Sequence, residues 1–264
     1  TEIPKKAEAA KEAVQPRWVR WLLVAIEILV VILITAIILA AMASGVGILG
    51  LLLIGAVAGA VGGALKYGAK VALTSEEFSL GGLAKATLDG AMDGVNIAVG
   101  LIPGVGPAAL IGMGALTGAF KYGTDVLFTP GKEFSWGELL GKTLLGGVQG
   151  AFGAALGSMG NGLGGAIAAR FGSVTMKILG ESAIKKVTAW TVQSVGGWVM
   201  GGASAVVDNW LNTGVWDTSK FGEAMTLEAL VTSAGTTIVG DVGTYKAGQI
   251  VAARGGIGPN AVPP

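Results

Sequence analysis

WLLVAIEILVVILITAIILAAMA, residues Trp21 to Ala43, decides how this chain is read. The stretch is unbroken by Gly or Pro and carries one charge, Glu27. A helix rises about 1.5 Å per residue, so a run of this length covers the roughly 30 Å hydrocarbon core of a bilayer. Val, Ile and Leu occupy every face, which leaves no polar side to turn toward water. Arg17 and Arg20 stand just before it, interleaved with Trp18 and Trp21, as basic and aromatic anchors do at a membrane interface. The competing reading is a helix wholly buried in a large soluble core. Core helices rarely run this long without polar relief, so a transmembrane helix over 17–45 is expected.

Composition agrees. Of 264 residues 52% are hydrophobic and 13% charged, and the mean hydropathy is +0.68. An ordinary soluble domain carries about 25% charged residues. Glycine reaches 46 residues without any collagen period, which points to close helix packing rather than to a linker. The formal net charge is +1, so no attraction to nucleic acid is expected. Cys and His are both absent. With them go disulfides, thiolate nucleophiles, and the commonest general base and metal ligand. No enzyme activity, cofactor or metal site is expected. The chain begins at Thr1 rather than Met and reads as a piece processed or excised from something longer.

Before the span, 1–16 is a polar, mixed-charge tether broken off by Pro16. Lys5, Lys6, Lys11, Arg17 and Arg20 precede the span, and by the positive-inside tendency the N-terminus faces the cytoplasm. After it, Ser44–Gly47 is a turn, and Ser44 to Ala64 stays apolar but laced with glycine. Gly55, Gly59 and Gly63 recur every fourth residue and form one stripe of a helix, the spacing that lets two backbones approach closely.

An internal repeat follows. Gly63-Ala64-Leu65-Lys66-Tyr67-Gly68 matches Gly118-Ala119-Phe120-Lys121-Tyr122-Gly123. Phe78-Ser79-Leu80-Gly81 matches Phe134-Ser135-Trp136-Gly137, and Thr87–Gly90 matches Thr143–Gly146, both set a single position further on by an insertion in the connecting loop. Gly94 matches Gly150. Gly118, Gly146 and Gly150 are thus the expected helix-packing residues of the second copy. A degenerate third copy runs through Gly202 and Trp210, with Trp216 in the place of Phe78. Each unit reads as an apolar Gly/Ala helix, a polar loop with an aromatic, and a second Gly-rich helix. Ser79 and Ser135 are N-caps by pattern, with Glu138 at the capping-box position after Ser135. The loop aromatics are either interfacial anchors or hydrophobic staples.

Pro103, Gly104, Gly106 and Pro107 interrupt an apolar run, as at a hairpin tip or re-entrant loop. Gly157–Gly165 is expected to be a flexible joint, 170–186 an ordinary helix, and 187–210 and 227–253 two further apolar helices. The organisation expected is a 1–16 tether, a 17–45 transmembrane helix, a hairpin repeat at 46–110, a second at 111–165, a degenerate unit at 166–254 and a linker tail at 255–264. The fold class is all-α and membrane-associated: one long N-terminal transmembrane helix followed by repeated Gly-rich helical hairpins.

Chemistry is sparse. Asp89 and Asp93 share a helix face at i, i+4, but no third ligand group clusters with them, and a contact between helices or a solvated face is the better reading. Gly141-Lys142-Thr143 lacks the leading glycine of a phosphate loop. Glu27, an intramembrane ionisable residue, either faces a pore or partner helix, or lies near enough to the interface to reach it or be protonated. The second is preferred.

The two copies, GAVAGAVGGALKYG…FSLGGLAKATLDGAMDG and GALTGAFKYG…FSWGELLGKTLLGGVQG, resemble the glycine-rich hydrophobic pre-toxin regions of bacterial polymorphic toxins. These include Rhs-type proteins and cargo proteins of contractile injection systems. The resemblance covers roughly Leu22 to Gly160. It implies a segment between a delivery region and a toxic tip, helping that tip enter or cross a membrane, with linked toxin or delivery domains as partners. No nuclease, deaminase or protease follows Gly255. The function expected is a translocation or pore-forming segment of a secreted bacterial toxin. It would insert into a target or inner membrane through glycine-zipper hairpins, with the lipid bilayer as partner and a homo-oligomer as one possible form. The alternative is a non-enzymatic structural protein, an oligomeric helical scaffold or shell packed through glycine stripes.

Overall fold

The computed structural model of the protein describes residues 16–170 and 181–254, with side chains placed outside 156–187. The expected tether at 1–15, the helix expected to run through 171–180 and the tail at 255–264 lie outside the described residues. The described residues form helices joined by turns, with no strand among them. The long helices are α1 (Arg17–Ala43), α2 (Ile48–Leu73), α3 (Leu80–Leu101), α4 (Pro107–Phe128), α5 (Trp136–Arg170), α6 (Glu181–Thr213) and α8 (Leu227–Ala253). A short α7 (Ser219–Ala224) interrupts the connection from α6 to α8.

Each long helix packs on the next, and α8 returns to pack on α1, so the seven close into a ring; α3 also touches α1 and α8. Neighbours along the chain run antiparallel because the described turns between them are short. The closing pair runs parallel: Arg20 meets Glu228, Ile28 meets Gly235, Thr35 meets Gly243, and Arg254 donates to the carbonyl of Ala43. The bundle therefore has two ends. One holds the start of α1 and the α2–α3, α4–α5 and α6–α8 connections. The other holds the turns at 44–47 and 102–106 and the end of α8.

The tightest packing is inside two consecutive pairs. A carbon built as Cβ on Gly55 would stand 2.6 Å from the carbonyl oxygen of Gly94. On Gly59 it would overlap the carbonyl of Gly90, and on Gly63 that of Ala86. In α4–α5, Gly114 meets the carbonyl of Gly146, Gly118 that of Lys142, and Gly150 that of Leu110. Only a residue without Cβ lets backbones come this close.

Each pair is also latched at its loop. The Tyr67 hydroxyl accepts from the Ser79 amide at 2.8 Å, while Ser79 caps α3 by accepting from the Gly82 amide at 2.9 Å. The Tyr122 hydroxyl accepts from the Ser135 amide, and Ser135 accepts from the Glu138 amide at 3.4 Å. Phe78 leans on Tyr67 and Phe134 on Tyr122, with ring centroids 6.0 and 5.8 Å apart. Tyr67→Phe and Tyr122→Phe each leave a part-buried amide without its acceptor. Each is expected to lower stability by about 1–2 kcal/mol, read as a fall in the thermal unfolding midpoint in detergent. An unchanged midpoint would show that the amide finds water instead.

The joint expected at Gly157–Gly165 is not there: α5 runs unbroken from Trp136 to Arg170. Glycine weakens a helix by about 1 kcal/mol per residue. It does not by itself break a hydrogen-bond ladder that continues on both sides. Elsewhere the Ser44–Gly47 turn and the Leu227–Ala253 helix stand where the sequence put them. In the last connection, the Ser219 hydroxyl and amide donate to Asp217 and hold its carboxyl below the ordinary aspartate value.

Candidate functional site: a polar seam inside an apolar bundle

The polar side chains of the bundle gather on the seam between α3 and α4. Asp89 accepts from Lys85 one turn before it and from the Thr124 hydroxyl at 2.6 Å. Lys85 also reaches Asp125 at 3.1 Å, Lys121 pairs with Asp93 at 2.8 Å, and Asn96 donates to the Thr117 hydroxyl at 2.7 Å. Residues 85, 89, 93 and 96 advance along one face of α3, so the ladder climbs about 16 Å into the bundle. Asp89 and Asp93 thus serve a contact between helices, with Thr124 and Lys121 of α4 as their partners across it. Beyond it, Gln149 donates to Ser204 at 2.7 Å between α5 and α6, and the Trp190 indole donates to Asp241 at 3.1 Å between α6 and α8.

Cavities adjoin this seam. One of about 380 Å³ lies against α2 and α3 toward the Tyr67 end, walled by Lys66, Lys70, Glu76, Lys85 and Asp93. A second, about 400 Å³, shares Lys66 and Asp93 with the first and is mostly apolar; Glu27, Asn96 and Thr236 also face it. A third, about 420 Å³, shares Asp93 and Asn96 with the second and adds Thr117, Lys121 and Gln149. A fourth, about 470 Å³, shares Gln149 with the third and Thr236 with the second. Among the described residues no group of three His, Cys, Asp or Glu side chains is set to hold a metal ion.

Large apolar side chains stand exposed on several helices. On α2, Leu49, Leu53, Val57, Val61 and Leu65 form a straight exposed stripe, from 78% exposed at Leu49 to 52% at Leu65. Leu116 and Phe120 on α4, Leu140 and Leu144 on α5, and Ile238 and Val242 on α8 are also exposed. Two helices, α1 and α2, are long and apolar enough to cross a membrane, and their most apolar windows are only 28% and 33% buried. The core helix of a soluble protein would be mostly buried.

The anchors named from sequence sit together at the start of α1, where Trp18 and Trp21 are exposed and Arg20 pairs with Glu228 at 3.6 Å. Exposed Phe78, Phe134, Trp136, Trp210 and Trp216 lie at the same end of the bundle. Gly55, Gly59 and Gly63 face α3, while Gly118, Gly146 and Gly150 lie in the α4–α5 contact. Glu27 is separate from both groups: half-buried, it lines the cavity shared by α1, α2, α3 and α8. Sequence reasoning did not single out Gly90, Gly94 and Gly114, the opposite halves of the glycine contacts, although the repeat alignment carried two of them. Comparison of the chain with family models, with curated proteins and with solved structures gives no match in any of the three.

Proposed function

We propose that the chain is a membrane-inserting segment of a delivered bacterial toxin, of the translocation or pore-forming kind. In this reading α2–α3 and α4–α5 are two copies of one glycine-locked hairpin, and the seven-helix ring stands in the bilayer with its polar seam inward. The observation that carries it is the run of large apolar side chains exposed on the bundle, with its ion pairs gathered on one seam. Large aliphatic side chains are exposed along the outside of α2, α4, α5 and α8, while the ion pairs among Lys85, Asp89, Asp93, Lys121 and Asp125 run along the α3–α4 seam. In water the exposed stripe is an aggregation hazard; in lipid it is the expected surface.

Lengths and anchors support the same reading. Helices α1 to α4 have 22 to 27 residues, which suits a hydrocarbon core of about 30 Å. The exposed aromatics at one end sit as an interfacial belt does. Helix α5 has 35 residues against 22 in α4, and extends about 20 Å further. That reach suits a segment emerging into water on the far side. The resemblance to pre-toxin regions supplies the biological setting: delivery with a linked toxic domain, into a target or inner membrane.

The scaffold reading needs the glycine stripes for a neighbouring subunit, whereas here they pack on backbone of their own chain. The experiment is reconstitution into phosphatidylethanolamine–phosphatidylglycerol vesicles by detergent removal, followed by flotation, an alkaline carbonate wash and a dye-release assay. The expected result is floating, wash-resistant protein that releases dye. A soluble particle of defined large size that never releases dye would overturn the proposal in favour of a scaffold.

A further inference from the structure

We infer that the cavities along the polar seam form a water-filled vestibule inside a single chain, whose branch between α1, α2, α3 and α8 ends on an apolar gate. The solutes it passes are small inorganic ions rather than a polypeptide. The inference rests on the membrane-inserted reading above and concerns what that inserted ring does.

The cavities are joined by shared walls. Asp93 borders three of the four, and Asn96, Gln149 and Thr236 each border two. Each holds between 380 and 470 Å³, far above the room one water molecule needs, about 30 Å³ of liquid. Their walls carry carboxylates, ammonium groups, amides and hydroxyls, the partners that keep water in place. Two of these groups, Glu27 and Lys66, make no ion pair or hydrogen bond to any other side chain among the described residues. A half-buried charge without a protein partner calls for water beside it. The outermost cavity lies at the end bearing the α2–α3 loop, so water enters there.

At the other end the corner between α1, α2, α3 and α8 is dry. Ile38, Ala98 and Ala247 are 0% exposed, Leu101 2% and Leu51 4%, and together they form one apolar cluster of α1, α2, α3 and α8. Leu101 and Ile34 belong both to this cluster and to the wall of the cavity that holds Glu27. The cavity that holds Glu27 therefore ends directly on the cluster. A constriction lined only by aliphatic side chains excludes water and, with it, ions, which is how hydrophobic gates close channels. The lining mixes Glu27, Asp93, Lys66 and Lys121, so neither sign of charge dominates and selectivity between small cations and anions is weak. Cavities of this size inside a closed ring do not admit a polypeptide. A linked domain would need the ring itself to open.

The absence of cysteine makes the test direct. Single variants Asn96→Cys, Gln149→Cys and Thr236→Cys mark the vestibule, Ile38→Cys and Ala247→Cys the gate, and Leu53→Cys the outer stripe. Each is reconstituted, checked for wash resistance, and exposed to a charged, membrane-impermeant methanethiosulfonate reagent presented on both faces. The three vestibule cysteines are expected to react, and the gate and outer-stripe cysteines to stay unmodified. In planar bilayers Leu101→Asn should raise the open fraction of a weakly selective single-channel conductance. Wash-resistant protein whose vestibule cysteines stay unmodified would overturn the inference and leave the membrane reading standing. Gate cysteines that react as fast as those of the vestibule would refute the gate. A Leu53→Cys protein that reacts freely, or that fails the wash, would remove the membrane reading itself.

Discussion

Replacing Gly59 with leucine is expected to unseat α2 from α3 and to lower stability by about 3 kcal/mol or more. A Cβ at this position would overlap the carbonyl of Gly90 and stand 2.8 Å from both the Cα and the nitrogen of Gly94. Overpacking usually costs about 1–3 kcal/mol because neighbouring side chains can turn aside. Here the neighbour is backbone, with Gly94 and Gly55 meeting in the same way one turn along, and nothing can turn. Gly114→Leu, which would meet the carbonyl of Gly146, should do the same to the α4–α5 pair. The comparison is Gly68→Leu, on the same helix with no atom within 4 Å of the added carbon. That change exchanges a poor helix former for a good one and should be neutral or stabilising by up to about 1 kcal/mol. Loss of helical signal on heating in detergent reads all three. Equal midpoints for Gly59→Leu and Gly68→Leu would mean that the close backbone contact contributes nothing.

Much of this was legible in the sequence, for reasons that differ by element. Helix α1 announces itself because the run from Trp21 to Ala43 is apolar, carries a single charge and has no Gly or Pro to end it. The α2 stripe is legible because 55, 59 and 63 fall on one helical face whatever the fold. The partners of that stripe need one more step: aligning the copies sets Gly90 on Gly146 and Gly94 on Gly150, which marks them as equivalent before any packing is known. The polar seam could not be read this way. Asp89 and Asp93 are visible as a pair, but Thr124, Asp125 and Lys121 lie across a hairpin tip, and no local spacing joins them. Gly157–Gly165 misled in the opposite direction. Glycine density is the same local signal in a joint and in a helix that runs on through it.

The exposed stripe on α2 allows a test that depends on lipid and not on internal packing. Val57 and Val61 point away from the other helices, at 66% and 54% exposure, so lysine at both positions should leave the bundle's own contacts intact. Inside a bilayer each lysine near the middle of a span costs about 2.5–3.5 kcal/mol on insertion scales. The double variant Val57→Lys/Val61→Lys is therefore expected to lose about 5 kcal/mol of insertion free energy, a fall in partitioning of roughly three to four powers of ten. Snorkelling relieves part of that cost, but both positions stand more than two turns from either end of a 26-residue helix, too deep for a lysine to reach water easily. The wash-resistant fraction in vesicle flotation measures it, with Ser75→Lys in the α2–α3 loop as the comparison that adds charge outside the span and should insert normally. If the stripe instead lay in water, the same two lysines would improve solubility and leave flotation where it was. If it lay against another subunit, they would dissociate a particle that never floated. The three environments predict three different outcomes from one pair of substitutions, and only loss of wash-resistant insertion fits a stripe that faces lipid.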